Sequence, residues 1–192
     1  MNYVIWGHLP EPTLCSLSPP ERIEEAYELN YGVSRAETFP SDAIFRMDPE
    51  FKKAIKLADA LDNASFLIVA SRRLKEFLEK EKVPDTEYLR VSILNHKNRI
   101  ASDDYYIIHQ VGTQNCIDLS QSIVKWNLIN SAQISSIKKL VIDESTIDPN
   151  ATLFRVKALP SIIFIRRDLA DKLGKAGFTG IQFKEIATYR KV

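Results

Sequence analysis

The feature that most constrains this fold is a succession of short apolar runs of β type that begins near residue 86. Residues 88–94 and 104–110 flank a polar turn at 96–99, which predicts a hairpin or a closely related connection. Residues 152–156 and 161–165 are further strand candidates, and helical patterns do not separate them regularly. Because strands and helices do not alternate, the sequence favours an α+β fold over a doubly wound parallel sheet.

Helices are predicted mainly in the first half of the chain and near its end. The strongest start is at Asp48, which can cap a helix over residues 48–61, with apolar residues at the spacing of one helix face. Ser71 is placed to cap a second helix, and Gly177 is placed just after a helix over 168–176. Shorter helical segments are predicted at 18–28 and at 131–137. Other strands are predicted at 3–6, 65–70, 122–126, 139–142 and 180–187.

The size of the chain indicates a single domain. It has 192 residues, of which 45% are hydrophobic and 27% charged, and these fractions are ordinary for a globular protein. We therefore expect one domain over residues 1–192, with a mixed or antiparallel sheet and a few short flanking helices. Residues 1–40, which are rich in proline, would form an N-terminal segment leading into the domain.

Several classes of protein are disfavoured by composition. The net charge is only +1, whereas a non-specific nucleic-acid binder is normally far more basic. No apolar run approaches the roughly 18–20 residues of a membrane span, so we expect no membrane partner. The two cysteines, Cys15 and Cys116, form no CxxC motif, which indicates a reducing compartment and a cytoplasmic location.

Charge is unevenly distributed along the chain. Residues 21–62 contain ten acidic and six basic side chains, whereas residues 155–192 contain three acidic and nine basic ones. This asymmetry is typical of two solvated faces. A surface that attracts a partner by charge is the alternative interpretation.

No catalytic or metal-binding motif is evident. The histidines are His8, His96 and His109, and none has the spacing that places two metal ligands on one face. Cys116 follows His109 by seven residues, but its neighbours show no activating signature. We therefore expect no metal, no cofactor and no enzymatic activity.

Two groups of carboxylates are candidates for contact with a partner. One is the pair Asp103 and Asp104, just before a predicted strand, and the other comprises Asp143, Glu144 and Asp148 in a predicted loop. Both groups can be solvated turns, and a catalytic acid–base pair is a further interpretation. Because loops often carry recognition, we also consider an acidic surface for a basic partner.

Three stretches in a fixed order carry a family resemblance. They are residues 43–52 (AIFRMDPEFK), residues 92–109, which contain SILNHK and ASDDYYIIH, and residues 140–155, from LVIDE to LFR. The segment VGTQNCID at 111–118 and the ending AGFTGIQF at 176–183 fit the same order. Together they resemble the bacterial immunity protein family eleven of polymorphic toxin systems, from about residue 40 to about residue 184.

The resemblance implies protection against a toxin. Such proteins are encoded beside a toxin, which is often a nuclease, and they neutralise it inside the producing cell. The expected mechanism is occlusion of the toxin by binding, without catalysis. A basic toxin would then be contacted by the acidic residues Asp103, Asp104, Asp143, Glu144 and Asp148.

Two other functions remain open from the residues alone. One is an adaptor or scaffold with a different protein partner. The other is a small hydrolase that uses His109 with nearby carboxylates, which would require a deep cleft with converging polar groups.

Overall fold

A computed structural model describes residues 2–191 and has an α+β fold, as predicted. Within these residues the chain forms twelve β-strands and two α-helices, and the strands belong to three sheets. The strands are β1 (Tyr3–His8), β2 (Ser16–Leu17), β3 (Ile44–Arg46), β4 (Ala60–Asn63), β5 (Ile68–Ser71), β6 (Thr86–Leu94), β7 (Ile100–Gln110), β8 (Ile123–Trp126), β9 (Ile134–Lys139), β10 (Leu153–Val156), β11 (Leu159–Arg166) and β12 (Ile181–Lys184). The helices are α1 (Arg72–Lys80) and α2 (Arg167–Lys175), and short 3-10 helices lie at Ala26–Tyr31, Pro49–Phe51, Glu144–Thr146 and Ile186–Thr188.

The first sheet combines β1 with three strands from the other end of the chain, β10, β11 and β12. Its order is β10–β11–β1–β12, and all neighbouring strands are antiparallel. Tyr3 and Ile5 of β1 pack into one apolar cluster, whereas Val4 and Trp6 pack into another. Both faces of the sheet are therefore covered, and this explains why β1 is a continuous apolar run rather than an alternating one.

The second sheet is mixed and contains the predicted hairpin. Its order is β2–β4–β5–β7–β6–β3, in which β2 with β4 and β3 with β6 are parallel pairs and the other pairs are antiparallel. Strands β6 and β7 form the long antiparallel hairpin at its centre, as the sequence predicts. The third sheet is a separate two-stranded hairpin of β8 and β9.

The start of α1 and the end of α2 lie where the sequence predicts them. The Ser71 hydroxyl accepts a hydrogen bond from the Leu74 N–H at 3.3 Å, which caps α1. After α2, Gly177 adopts a φ of 67°, the left-handed conformation that favours glycine at this position. Both helices contribute leucines to an apolar cluster that also contains Trp6 of the first sheet and Ile68 of the second. The helices therefore pack over the junction between the two sheets.

A buried arginine also connects the two sheets. Arg155 of β10 is completely enclosed, and its guanidinium donates to the carbonyl oxygens of Pro160, at 2.6 Å, and Phe66, at 3.0 Å. Phe66 lies in the turn before β5 and has a φ of 56°. Burial lowers the pKa of Arg155 to about 9. This side chain thus links the first sheet to a turn of the second by hydrogen bonds to backbone carbonyls.

Three helical predictions are wrong. Asp48 caps a helix by accepting from the Glu50 N–H at 2.9 Å, but only the 3-10 turn Pro49–Phe51 follows, and residues 60–63 form β4. Within the predicted segment 18–28, Glu21 instead forms a β-bridge with Ile44. Residues 134–137, which were expected in helical turns, belong to β9. In each case pairing with another strand, or a β-bridge in the case of Glu21, overrides the local helical pattern.

Candidate partner-binding site

The first predicted acidic group lies at the start of β7. The Asp104 carboxylate is 2.6 Å from the Arg72 Nε and accepts a hydrogen bond from the Tyr106 hydroxyl at 3.2 Å. The hydrogen bond from Arg72 lowers the pKa of Asp104. Asp103 lies 3.7 Å from the Arg90 guanidinium, with about two thirds of its side chain exposed. Asp104 is thus engaged within the protein, whereas Asp103 is the more accessible of the pair.

The second predicted acidic group lies around the 3-10 helix Glu144–Thr146. Asp143 caps this helix by accepting from the Ser145 N–H at 3.0 Å and from its hydroxyl at 2.6 Å. Glu144 accepts two hydrogen bonds from Asn2, each at 2.8 Å, and Asp148 accepts from the Asn150 N–H at 2.8 Å. Asp143 and Asp148 thus accept hydrogen bonds from within their own loop, whereas Glu144 joins the loop to Asn2, just before β1.

The two acidic groups are held by separate contacts. Within residues 2–191, no hydrogen bond or ion pair joins Asp103 or Asp104 to the loop that contains Asp143, Glu144 and Asp148. The two acidic groups therefore belong to separate hydrogen-bond networks. Asp143 and Asp148 are exposed to solvent, as Asp103 is.

The proposed hydrolase residues are enclosed in the interior. The His109 ring is completely buried, its Nε2 lies 2.8 Å from the Val33 carbonyl oxygen, and Glu87 lies 4.0 Å away. Burial lowers the pKa of His109 and raises that of the Cys116 thiol to about 11, so both groups are neutral at pH 7. No hydrogen bond between His109 and Cys116 occurs in the described part of the chain. A substrate has no access to this histidine.

A cleft of about 430 Å³ contains a second histidine. It lies between the end of β1 and the start of β4, and His8, Cys15 and Asp62 line it together with mainly apolar residues. Burial lowers the pKa of His8, an effect that the charge of Asp62 opposes, and burial raises the pKa of the Cys15 thiol to about 11. Among the described residues, no side-chain hydrogen bond joins these three groups. The cleft therefore offers an apolar surface without an activated nucleophile.

The described residues contain neither a cluster of metal ligands nor a helix able to span a membrane. No group of three or more His, Cys, Asp or Glu side chains in residues 2–191 is arranged to hold a metal ion. The helices of the same region are too short and too polar to cross a bilayer.

The most exposed apolar side chains lie on the β8–β9 hairpin. Leu128 and Ile129, in the turn between the two strands, are completely exposed, and Trp126 at the end of β8 is 43% exposed. A larger cleft of about 620 Å³ opens beside the last residue of the hairpin turn, Gln133, which donates a hydrogen bond to the Tyr31 hydroxyl. Apolar groups that remain in water are typical of surfaces that bind another macromolecule.

The candidate residues predicted from the sequence do not include this hairpin turn. Because residues 131–137 are predicted as helical turns, the sequence does not indicate that Leu128 and Ile129 lie at an exposed turn. A signal was present, because Asn127 and Asn130 bracket the apolar pair and asparagine favours turns. With strands on both sides, the segment 123–139 has the pattern of a hairpin.

A comparison with family models identifies the class of protein. The immunity protein family Imm11 matches residues 9–188, nearly the whole chain. The chain therefore belongs to this immunity protein family, as the motifs indicated. The match begins at residue 9, so it also includes most of the N-terminal segment that the motifs did not cover. No curated protein matches the chain.

Proposed function

We propose that this protein binds the toxin of a polymorphic toxin system and neutralises it by occluding the toxin's active site, without chemical conversion of a substrate. The observation that carries the proposal is membership in the immunity protein family over residues 9–188. The placement of the polar groups agrees with it, since His109 and Cys116 are enclosed while charged and apolar side chains remain at the surface. An occluding protein needs such a surface and needs no activated nucleophile.

The acidic residues are proposed as contacts for a basic toxin, such as a nuclease. Asp103, Asp143 and Asp148 are exposed and keep their charges available, while Asp104 and Glu144 contribute to the local potential from partly engaged positions. A stable interface buries about 1,600 Å² in total, and complementary charges around it mainly raise the association rate and selectivity. Fast association matters because a single free toxin molecule causes damage.

We further propose that the protein acts in the cytoplasm of the producing cell, with no nucleic acid, membrane or cofactor as partner. Both cysteines are buried free thiols, which suits a reducing compartment.

Co-expression with the protein encoded next to this gene tests the function. We expect the neighbouring protein to be lethal alone and harmless when this chain is present. Purified chain and an inactive form of the neighbour should form a complex that gel filtration and calorimetry detect. A neighbour that is harmless alone, or that still kills in the presence of this chain, would refute the proposal.

A further inference from the structure

The β8–β9 hairpin ends in a turn that leaves two apolar side chains in contact with solvent. Residues 127–133 form this turn, here called the hairpin tip, and its Leu128 and Ile129 side chains are completely exposed. We propose that the hairpin tip inserts into an apolar pocket with an acidic rim on the toxin and dominates the binding energy. This inference rests on the proposed function and names the surface that performs it.

The hairpin tip is ordered before any partner arrives. The Asn127 side chain accepts from the Ile129 N–H at 2.8 Å and from the Asn130 N–H at 3.1 Å. The Asn130 side chain accepts from the Ala132 N–H at 3.1 Å, and the Asn127 N–H donates to the Gln133 carbonyl at 2.8 Å. These bonds fix the backbone on both sides of the apolar pair. A preorganised tip loses less conformational entropy on binding than a flexible loop would.

The strands below the hairpin tip attach it firmly to the protein. Ile134 and Ile137 of β9 are buried in an apolar cluster that also contains residues of the first sheet. The Ile134 N–H donates to the Ala158 carbonyl at 2.9 Å, and Ile137 forms a β-bridge with Lys191. One face of β9 thus anchors the hairpin, which leaves its turn at the surface. A leucine and an isoleucine on a rigid support can fill an apolar pocket at a low cost in conformational entropy.

The charges of the hairpin indicate the rim of that pocket. Residues 119–139 contain three lysines and no acidic residue. Lys125, Lys138 and Lys139 are exposed, and none of the ion pairs found within residues 2–191 involves them. Lys125 lies two residues before the hairpin tip, whereas Lys138 and Lys139 lie at the opposite end of β9. An unpaired cation near the apolar pair favours a pocket with carboxylates at its border. This contact would be distinct from the acidic loops, which would face basic parts of the same toxin.

A membrane and a second copy of the chain fit the hairpin tip less well. The side chains of Leu128 and Ile129 together hold fewer carbons than one myristoyl chain, which alone anchors a protein only marginally. A stable dimer requires roughly 1,600 Å² of buried area, far more than two side chains provide. A toxin can supply the remaining area through its contacts with other faces of the immunity protein.

The test compares one double variant of the hairpin tip with one control variant elsewhere on the surface. Leu128→Ser/Ile129→Ser removes the apolar pair, and Ile55→Ser removes an exposed isoleucine from a different turn. Affinity for the inactive neighbouring protein is measured by calorimetry, and stability by the urea midpoint. We expect the double variant to bind about 100-fold more weakly, which corresponds to about 2.8 kcal/mol. The Ile55→Ser affinity and all urea midpoints should match the wild type.

A charge variant tests the acidic rim. We expect Lys125→Glu to weaken binding about 10-fold at low salt and less at high salt, because opposite charges attract and salt screens them. Lys53→Glu, which changes an exposed lysine outside the hairpin, is the control and should leave the affinity unchanged. Tighter binding of Lys125→Glu would refute an acidic rim.

Several outcomes would overturn the inference. They are an affinity of the double variant within about threefold of wild type, and a lowered urea midpoint that accompanies its loss of binding. Wild-type binding to vesicles of equal phosphatidylcholine and phosphatidylglycerol, abolished in the double variant, would assign the hairpin tip to a membrane. Wild-type dimerisation abolished in that variant would assign it to self-association. Failure of the wild type to bind the neighbouring protein would instead refute the proposed function, and the role of the hairpin tip with it.

Discussion

Replacement of Gly180 by alanine should destabilise the protein far more than the same change at Gly177. Both glycines follow α2 and have positive φ angles, 80° and 67° respectively. A left-handed alanine costs roughly 1–2 kcal/mol at either position. At Gly177 a Cβ would meet nothing within 4 Å, whereas at Gly180 it would lie 2.1 Å from the Ala60 carbonyl oxygen and 2.9 Å from the Ala58 Cβ.

The clash at Gly180 must be relieved by movement of backbone. The backbone there is held by two hydrogen bonds of 3.1 Å, from Ala60 N–H to the Thr179 carbonyl and from Leu9 N–H to the Gly180 carbonyl. Loss of both adds about 2–3 kcal/mol at roughly 1–1.5 kcal/mol each. We therefore expect Gly180→Ala to cost about 4 kcal/mol and Gly177→Ala about 1 kcal/mol.

Urea unfolding measures both free energies. With a slope of about 2 kcal/mol per molar urea, the midpoint should fall by about 2 M for Gly180→Ala and about 0.5 M for Gly177→Ala. Gly177→Ala is the matched control, since it has the same backbone cost without the steric conflict. Midpoints that fall equally in the two variants would refute the argument from close approach.

Other predictions concern charge, pH and helix capping. Asp143→Asn with Glu144→Gln keeps the shape of the local hydrogen-bond acceptors but removes both charges, so toxin association should slow at low salt, and an unchanged rate would exclude this loop from the interface. Burial lowers the pKa of His109 below its unfolded value near 6.5, so the unfolded chain takes up a proton more readily as pH falls. Stability is therefore lost on going from pH 7 to pH 5, and urea titrations of His109→Gln should show a smaller loss than wild type; an equal loss would contradict this. Ser71→Ala removes the cap on the Leu74 N–H and should lower the free energy of unfolding by about 1 kcal/mol, whereas no change would show that the cap contributes nothing.

The elements that the sequence predicts correctly are those whose start, end or partner is determined by residues close by in the sequence. Ser71 and Gly177 mark the start of α1 and the end of α2 because a side-chain cap and a left-handed glycine act within a few residues of the helix. The hairpin of β6 and β7 was also predictable, since its strands are adjacent in sequence. The α+β class follows from the order of such elements.

Strand pairing that the local pattern does not show accounts for most of the errors. Residues 48–61 have apolar residues at helical spacing, yet Leu61 pairs with Val69 of β5, and β4 also pairs with β2. Nothing within the segment itself signals these partners. Tertiary contacts decide between a short helix and a strand when the apolar run is brief.

The surroundings of the candidate acidic residues could be predicted only in part from the sequence. Acidic residues could be named because charge in a loop is visible in a sequence. Their bonding could not, since Glu144 contacts Asn2 and Asp104 contacts Arg72, neither of which is a neighbour in sequence. The exposure of Leu128 and Ile129 depends on the course of the whole hairpin and required the structure.

The position of β1 affects how the protein is made. Its partners β11 and β12 are translated long after it, so β1 must wait for residues near 181–184 before its sheet can close. Until then the apolar side chains of β1 lack the residues against which they pack in the folded protein. We expect chaperones to bind the nascent segment during this time. Contacts that span nearly the full chain also slow folding. Synthesis of β11 and β12, rather than of the strands before them, should therefore set the moment at which the cell gains a functional molecule.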